Sequence, residues 1–313
     1  MNKKITYFAF FSLVAIIVLS FSIYFSNQSK TNAKGTSTTT SNKNVVTTTS
    51  AEEDAKKKAA EKLAAEENIQ FTKLENEIKA YIGTNEKKFG LYYYDLTNGK
   101  TFEINSSKEF AAASTVKVPM NMVLLDMVNQ GKISLKETMR YNKSTDYEGG
   151  TGILQGKDLS KPIALETLSE YSIIYSDNIA THMIMRRINK NYMRDAFDKM
   201  LGHKATRTGN VTTAKDSGTF LKLLYNNPNK NPYFSELVDN MKETSFHDRI
   251  DKYIPHDITA HKIGNYGTYV NDIAIVYTKR PYVLVVLTNE LSESSEKIAH
   301  ISEMVYDYQT TLR

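Results

Sequence analysis

The sequence contains no cysteine, which excludes disulfides, thiolate metal ligands, a cysteine nucleophile and lipid-modified cysteine. It also lacks a strong excess of either charge, because 40 Lys and Arg residues stand against 35 Asp and Glu residues, for a net charge of +5. A nucleic-acid-binding chain would carry clustered basic residues with stacking aromatic side chains, so this balance predicts no nucleic-acid partner. The 313 residues, 41% of them hydrophobic, suffice for one large or two ordinary domains.

The N-terminus has a short basic start, with Lys3 and Lys4, and a mostly apolar run up to Phe25. This run of roughly 20 residues is long enough for a helix to cross a hydrocarbon layer of about 30 Å. A cleaved signal peptide would have a shorter apolar region and a better cleavage site. We therefore predict a single-pass transmembrane signal-anchor over residues 1–25, with the rest of the chain extracytoplasmic on the cell membrane. Secretion after signal cleavage is the alternative.

Two segments of contrasting composition follow the apolar run. Residues 26–50 are rich in Thr, Ser and Asn with almost nothing to bury, which predicts a disordered tether. Residues 51–83 are rich in Ala, Glu and Lys and predict a helical spacer that leads into the domain. The second half of this spacer carries an apolar stripe, formed by Ile69, Phe71, Leu74, Ile78 and Ile82. The stripe is too brief for a coiled-coil dimer, so we predict a monomer.

Strand patterns at both ends of the remaining chain, residues 84–313, enclose a helical middle. An Asn-Gly pair between two β-rich runs predicts a hairpin near residue 98, and three further strands are predicted at 257–263, 271–277 and 282–287. A last amphipathic helix is predicted over about residues 293–308. We predict an α+β fold of three layers (α/β/α), in which both chain ends form one antiparallel sheet, flanked by helices, and the middle forms an inserted all-α lobe. A cleft between sheet and lobe is a common location for an active site.

The first of three chemical motifs is Ser-Thr-Val-Lys at Ser114–Lys117. Ser114 is predicted to begin a helix, where a lone serine would simply be an N-cap. Lys117 lies one turn further on the same face, so its neutral amine could take the hydroxyl proton and activate the oxygen as a nucleophile. The same spacing recurs at residues 294–297, where we expect only a solvated helix start.

The second motif, Ser176-Asp177-Asn178, lies between two predicted helices. Capping of the following helix is the structural interpretation. In the functional interpretation, Ser176 passes a proton to a leaving nitrogen, Asn178 binds a substrate carbonyl, and Asp177 ties the loop through backbone hydrogen bonds.

The third motif, Lys262-Ile263-Gly264, ends a predicted strand. A lysine there is ordinarily a solvated edge residue. Functionally, Lys262 would offer a cation to a substrate carboxylate, and Gly264 would let the substrate lie along the strand. The backbone N–H of Asn265 would join that of Ser114 in an oxyanion hole.

Together and in this order, the motifs resemble the Ser-x-x-Lys, Ser-Asp-Asn and Lys-Thr-Gly set of class A β-lactamases, within the penicillin-recognising serine hydrolases. The segments 201–207, 212–216 and 269–274 also resemble that family. The resemblance implies a catalytic domain over residues 84–313 that is acylated by β-lactams or D-Ala-D-Ala-like peptides, without a cofactor. It assigns catalysis and substrate binding to the residues named above: Ser114, Lys117, Ser176, Asn178, Lys262, Gly264 and Asn265.

Two departures from the family pattern bear on turnover. The family has a Glu-x-x-Leu-Asn loop whose glutamate positions the hydrolytic water, but here only Thr208–Val211 separate Arg207 from Thr212, and none of these is acidic. We therefore predict slow deacylation, unless Lys117 or another group replaces the glutamate. Ile263 also replaces a hydroxyl residue that bonds the substrate carboxylate, a role for which Thr268 is the candidate.

The sequence leaves three functions open: a β-lactamase-like hydrolase, a penicillin-binding D,D-carboxypeptidase, and a non-catalytic cell-wall binding module on the same fold. A metal enzyme is not among them. The histidines at positions 203, 247, 256 and 261 lack a metal-ligand spacing such as His-x-x-x-His, so we predict no metal site.

The anchor is testable by deletion. Removing residues 5–25 should move the protein from the membrane fraction to the soluble fraction, because this segment supplies the apolar length needed to span a bilayer. Immunoblotting of separated fractions measures the change. Removal of residues 26–50 is the control and should leave the protein in the membrane; a soluble full-length chain would show that the apolar run is cleaved or does not insert.

Overall fold

The computed structural model describes residues 44–205 and 209–312, and side-chain surroundings within 52–205 and 209–312. The predicted signal-anchor, residues 1–25, and residues 26–43 of the predicted tether lie outside the described residues. Among the described helices, none has both the length and the apolar character required to cross a bilayer. The anchor therefore stays a prediction.

Five antiparallel strands form the central sheet in the order β2-β1-β9-β8-β7. The strands are β1 (Phe89–Asp95), β2 (Thr101–Ile104), β7 (Thr259–Tyr266), β8 (Tyr269–Val276) and β9 (Tyr282–Asn289). The predicted hairpin is confirmed, with Leu91 opposite Ile104 and Tyr94 opposite Thr101. Since β9 pairs with β1, the two ends of the domain meet in one sheet, as predicted from their separate strand patterns.

Helices cover both faces of this sheet and form the middle of the chain. They are α1 (Asn44–Ile82), α2 (Lys117–Asn129), α3 (Lys143–Asp146), α4 (Leu165–Ile174), α5 (Asn178–Ile188), α6 (Lys190–Leu201), α7 (Ala214–Asn226), α8 (Phe234–Lys242) and α9 (Ser294–Thr311). Two small sheets complete the fold: β3 (Glu109–Ala111) pairs with β6 (Val211–Thr213), and β4 (Thr138–Met139) pairs with β5 (Ile163–Ala164).

Alternate side chains of β9 point into two separate cores, because successive residues of a strand face opposite sides of a sheet. Leu284 and Val286 pack in the core that contains α9 and the end of α1. Val283 and Val285 pack on the other side, in the core that contains α7 and α8. A third core, formed among α2, α4, α5 and α6, holds the helical lobe together. The predicted three-layer fold with an inserted all-α lobe is therefore confirmed.

Helix α1 differs from the predicted segment boundaries at its start. It begins at Asn44, inside the predicted tether of residues 26–50, because a helix propagates from the strongly helical Ala/Glu/Lys segment at the low cost of one residue at a time. It ends at Ile82, one residue before the predicted boundary, and three residues of the predicted apolar stripe, Leu74, Ile78 and Ile82, are buried in the sheet core. The compact unit that holds the fold accordingly covers Leu63–Arg313, beginning before residue 84.

The buried face of α1 gives a stability prediction. Ile78→Ala should lower the free energy of unfolding by about 2–5 kcal/mol, because it removes fully buried methyl groups and leaves a cavity. The matched control is Ile69→Ala on the same helix, where the side chain is 71% exposed and the expected change is below about 0.5 kcal/mol. Urea unfolding followed by circular dichroism measures both. If Ile78→Ala lowers the free energy of unfolding no more than Ile69→Ala does, the end of α1 does not contribute to the core.

Candidate active site

Ser114 lies in a single 3₁₀ turn, Ala113–Val116, that leads into α2. Ser114 therefore lies at the start of a helical segment, as predicted, but the first turn is 3₁₀ and α2 itself starts at Lys117; the N-cap positions are Ala112 and Val116, so the serine is not the N-cap. The preceding residue, Ala113, has a left-handed φ of 50°, which is unfavourable for a residue with a Cβ. Strain of this kind persists only where the surroundings fix the backbone, and it is common at functional sites.

Hydrogen bonds from two neighbouring segments fix this turn. Asn210 donates its side-chain amide to the carbonyl of Ala113 at 3.0 Å, and its own carbonyl accepts the N–H of Ala112 at 2.9 Å. From the sheet, the side-chain amide of Asn271 donates to the carbonyl of Ala111 at 2.8 Å. The serine is therefore positioned by the short 209–213 segment and by β8 at once.

Gly264 lets strand β7 approach the same turn closely. A Cβ placed on Gly264 would lie 2.8 Å from the carbonyl oxygen of Ala112 and 3.1 Å from the amide nitrogen of Ser114. Both are backbone atoms that cannot move aside cheaply, so any side chain here would push the strand away from the nucleophile. We predicted that Gly264 makes room for substrate; the contact found here is with the serine turn itself.

Lys117 is buried, with 3% of its surface exposed, and it lines the same cavity as Ser114. Its Nζ donates to three acceptors: the carbonyl of Ser176 at 2.7 Å, the hydroxyl of Ser176 at 3.2 Å and the side-chain oxygen of Asn178 at 2.8 Å. The first and second motifs, 59 residues apart in the sequence, are thus in direct contact.

Burial lowers the pKa of Lys117 to about 8, although the carboxylates of Asp177 and Glu148 oppose the shift. A lysine with this pKa has a substantial neutral fraction near neutral pH, whereas an exposed lysine has almost none. The neutral amine is the form that accepts a proton from a serine hydroxyl. The arrangement therefore supplies a base within one helical turn of Ser114 and in contact with Ser176.

The Ser176–Asn178 segment is held in a strained turn by Asp177. Ser176 has a left-handed φ of 51° and is 2% exposed. The buried carboxylate of Asp177 accepts the N–H of Ala180, which caps α5, and the N–H of Leu154 at 2.7 Å. Asp177 therefore caps α5 and also ties the loop to a backbone N–H, so both predicted structural roles are confirmed.

A glycine-rich loop covers the Asn178 side. The amide of Asn178 donates to the carbonyl of Gly149 at 2.9 Å, and its backbone N–H donates to the carbonyl of Thr151 at 3.1 Å. Gly152 has a φ of 128°, and a Cβ there would lie 2.4 Å from the carboxylate of Asp177, so only glycine fits. Because Asn178 already contacts Lys117 and Gly149, a substrate carbonyl would have to compete for its amide.

Lys262 does not face the cleft in the way we predicted. It is fully buried, its Nζ donates to the carbonyl of Ile263 at 3.2 Å, and it does not line either cavity beside Ser114. Burial, and then the positive charge of Lys117, lower the pKa of Lys262 well below its ordinary value. A direct ion pair with a substrate carboxylate requires an accessible group, and Lys262 is completely buried in this arrangement.

Arg249, which the sequence reasoning missed, lines the cleft beside Ser114. Its guanidinium donates to the carbonyl of Asn271 at 2.8 Å and to the side-chain oxygen of Asn265 at 2.7 Å. Arginine keeps its charge when buried, so this side chain provides a permanent cation at the wall of the cleft. No local pattern distinguishes it from the other arginines, because the loop after α8 carries no motif.

The hydroxyl group expected from Thr268 is not at the site. Thr268 donates to the side-chain oxygen of Asn289 at 2.6 Å, on the turn between β7 and β8. Ile263 lines the cleft, and the hydroxyl-bearing residues in the same lining are Thr151 and Ser245, in addition to Ser114 and Ser176. The Thr268 prediction is wrong because the residue lies in the turn beyond the end of β7, where its hydroxyl bonds to Asn289 and does not line the cleft.

Ser114 stands where two cavities meet. One is lined by Ser176, Arg249 and Ile263, and the other by Lys117 and Asn178; Asn265 lines both. The second cavity also contains a polar contact that sequence reasoning missed, between Oε2 of Glu148 and Nε2 of His182, which are 2.6 Å apart. The three motifs therefore converge on one cleft between the sheet and the helical lobe.

A serine that follows a strained residue, precedes a buried lysine by one turn and shares a cavity with a second serine is the group set that a serine hydrolase uses. The family profile described as "Beta-lactamase enzyme family" matches residues 73–309. The chain belongs to this β-lactamase enzyme family.

Several relatives and solved structures share this fold. The extended-spectrum β-lactamase PER-1 of Pseudomonas aeruginosa is 21% identical over 78% of this chain and 90% of its own length. β-Lactamase 3 of Bacillus cereus is 29% identical over 73% of this chain and 76% of its own length. The structure of PBP-A superposes with a TM-score of 0.70, at 24% identity, over 77% of this chain and 97% of that protein. A mutant of PBP-A was solved as an acyl-enzyme complex with penicillin G.

The pKa of Lys117 gives a prediction for pH dependence. If the neutral amine is the base, the second-order rate of serine acylation should rise with pH through an apparent pKa of about 8 and level off above it. Lys117→Met should lower the rate by at least about 100-fold, because no group is left to take the proton. Stopped-flow measurement with a fluorescent penicillin gives both values. A pH-independent rate, or a rate unaffected by the substitution, would contradict the assignment.

Proposed function

We propose that this protein is an active-site serine enzyme acylated at Ser114 by β-lactams or by D-Ala-D-Ala-like peptides, and that its acyl-enzyme is hydrolysed slowly. The observation that carries the proposal is the buried Lys117, in contact with Ser176 and Asn178 and one turn from the nucleophile. The PBP-A acyl-enzyme supports the substrate class by similarity of fold.

The proposed acylation uses three proton transfers. The Oγ of Ser114 forms a bond to the carbonyl carbon of the substrate while its proton passes to the neutral amine of Lys117. The carbon–nitrogen bond then breaks, and the leaving nitrogen takes a proton from the hydroxyl of Ser176. Ser176 recovers a proton from Lys117, whose Nζ lies 3.2 Å from it.

Two negative charges need stabilising groups, that of the developing oxyanion and that of the substrate carboxylate. The developing oxyanion would be bound by the backbone N–H groups of Ser114 and Asn265, on the two segments that Gly264 allows to approach. The substrate carboxylate would be bound by Arg249 rather than by Lys262. This choice rests on Arg249 lining the cavity beside Ser114, which Lys262 does not line; both side chains are buried, and Arg249 also lies 3.5 Å from the carboxylate of Asp248.

Slow deacylation follows from the short connection before β6. Attack by water on the acyl-enzyme needs a base that positions the water. In the described part of this connection, Asn210 reaches the nucleophile turn; it is an amide that donates to the carbonyl of Ala113 and cannot accept a proton at neutral pH. The carboxylate in the cavity with Ser114 is that of Glu148, which is bonded to His182. A D,D-carboxypeptidase-type activity is the second candidate, favoured by the absence of an acidic residue from Thr208–Val211.

Intact-protein mass spectrometry with benzylpenicillin tests the proposal over time. A covalent adduct should form within seconds to minutes and persist, with a burst of nitrocefin hydrolysis followed by turnover at least about 100-fold slower than the burst. Ser114→Ala should abolish the adduct. Ser294→Ala is the matched control, because Ser294 begins the second Ser-x-x-Lys sequence but donates to the carbonyl of Leu291.

Three outcomes separate the candidate functions. Fast steady-state nitrocefin turnover would contradict slow deacylation and indicate an efficient β-lactamase. Release of D-alanine from a D-Ala-D-Ala peptide would identify the carboxypeptidase. Muropeptide binding that survives Ser114→Ala, without any covalent species, would overturn the enzymatic proposal and favour a binding module.

A further inference from the structure

A cluster of histidine and carboxylate side chains lies beside the cleft, on the loop after α8 and the start of β7. His247 and His256 are exposed and their rings stack in parallel, with centroids 4.3 Å apart and an interplanar angle of 6°. Each offers a ring nitrogen that, with a carboxylate oxygen of Asp251, forms a set of three atoms within 4.8 Å of one another. None of these contacts follows from sequence spacing, which led us to predict no metal site.

Asp251 is the centre of the cluster. Its Oδ2 hydrogen-bonds with Nδ1 of His247 and lies 3.9 Å from Nε2 of His256. It also lies 3.2 Å from Nε2 of His261, which is fully buried beneath it. One carboxylate oxygen is therefore shared by three imidazole rings.

The other oxygen of Asp251 has no partner. The residue is 1% exposed, and its Oδ1 makes no hydrogen bond within the described part of the chain. A buried carboxylate oxygen without a partner is costly and rare in folded proteins. The hydrogen-bond network around Asp251 is therefore incomplete, and a bound cation is one way to complete it.

His261 supports the carboxylate from below. Its Nδ1 is 3.0 Å from Oδ2 of Asp272, which also accepts the N–H of Ile250. His261 thus lies between two buried carboxylates, behind Asp251, in the position from which outer residues orient a ligand carboxylate.

We propose that His247, Asp251 and His256 form a binding site for a divalent transition-metal ion, with Zn²⁺ the first ion to test. Two imidazoles and one carboxylate are a donor set that zinc accepts while leaving a position for water. Imidazole donors favour such ions over Ca²⁺ and Mg²⁺, which prefer oxygen ligands. The two exposed histidines give the ion a path from solvent and enough freedom to adjust to metal–nitrogen distances of about 2.0–2.1 Å.

The proposed site would join two segments of the cleft wall. His247 and Asp251 belong to the loop after α8, whereas His256 begins the 3₁₀ turn that leads into β7. His247 also lines the cavity that contains Ser114 and Arg249. A bound ion would therefore stabilise the loop that carries Arg249, and would raise the melting temperature of the protein through its binding free energy. The proposal does not depend on acylation of Ser114.

Zn²⁺ binding to the metal-stripped full chain tests the site. Isothermal titration calorimetry should give one bound ion, and Co²⁺ should give the visible absorption of a low-coordinate site with nitrogen and oxygen ligands. His256→Ala should weaken binding by at least about tenfold, and His247→Ala combined with His256→Ala should abolish it, because two of three ligands are lost. Both histidines are exposed, so these variants should fold.

His203→Ala is the matched control, since His203 is an exposed histidine that also pairs with a carboxylate, that of Asp216. This variant should bind Zn²⁺ as the original chain does. Absence of binding in the micromolar range, or unchanged binding by the double variant, overturns the proposal. The penicillin adduct at Ser114 is measured separately on the same samples, so loss of metal binding and loss of acylation bear on different proposals.

Discussion

The burial of Lys117 is the constraint on which the site depends. An ammonium group removed from water is stable only where acceptors replace its hydration, and here the acceptors are the backbone and hydroxyl of Ser176 and the amide of Asn178. Because these groups lie at the start of α5, the helical lobe has to sit at a fixed distance from α2. The contacts that hold the start of α5 against α2 therefore also position Lys117, the proposed base.

A second constraint is the close approach of β7 to the serine turn. The strand can reach the turn because Gly264 has no side chain, and the turn keeps its strained backbone because Asn210 and Asn271 bond to it from two directions. Ser176 is held in a comparable left-handed conformation by Asp177. Both strained residues lie beside Lys117, where small displacements would separate the serine from its base.

Much of the fold was predictable because it rests on local periodicity. The β1–β2 hairpin followed from Asn98-Gly99 between two alternating runs, and the three C-terminal strands were placed to within a few residues. The errors lie where local signals compete with tertiary contacts. The 3₁₀ turn at Ser114 is held by asparagines far away in sequence, and the end of α1 is buried against a sheet whose strands come from both chain ends.

The candidate site was only partly predictable. Ser114, Lys117, Ser176 and Asn178 belong to short motifs that the fold brings together. Arg249, Glu148 and His182 were missed, since each lies in a loop or helix with no motif around it. Lys262 was identified by its motif, but its complete burial depends on the layers packed over β7, which no motif encodes.

The sequence by itself determined which groups are available: a serine and a lysine one turn apart, a second serine, no thiol, and no glutamate in the short connection before β6. It also determined the order of strands and helices, because those depend on neighbours along the chain. Only the tertiary structure decided the burial that lowers the pKa of Lys117, the position of Arg249 rather than Lys262 at the wall of the cleft, and the meeting of His247, Asp251 and His256. These properties depend on burial and on distances between remote residues, which arise when the three layers pack together.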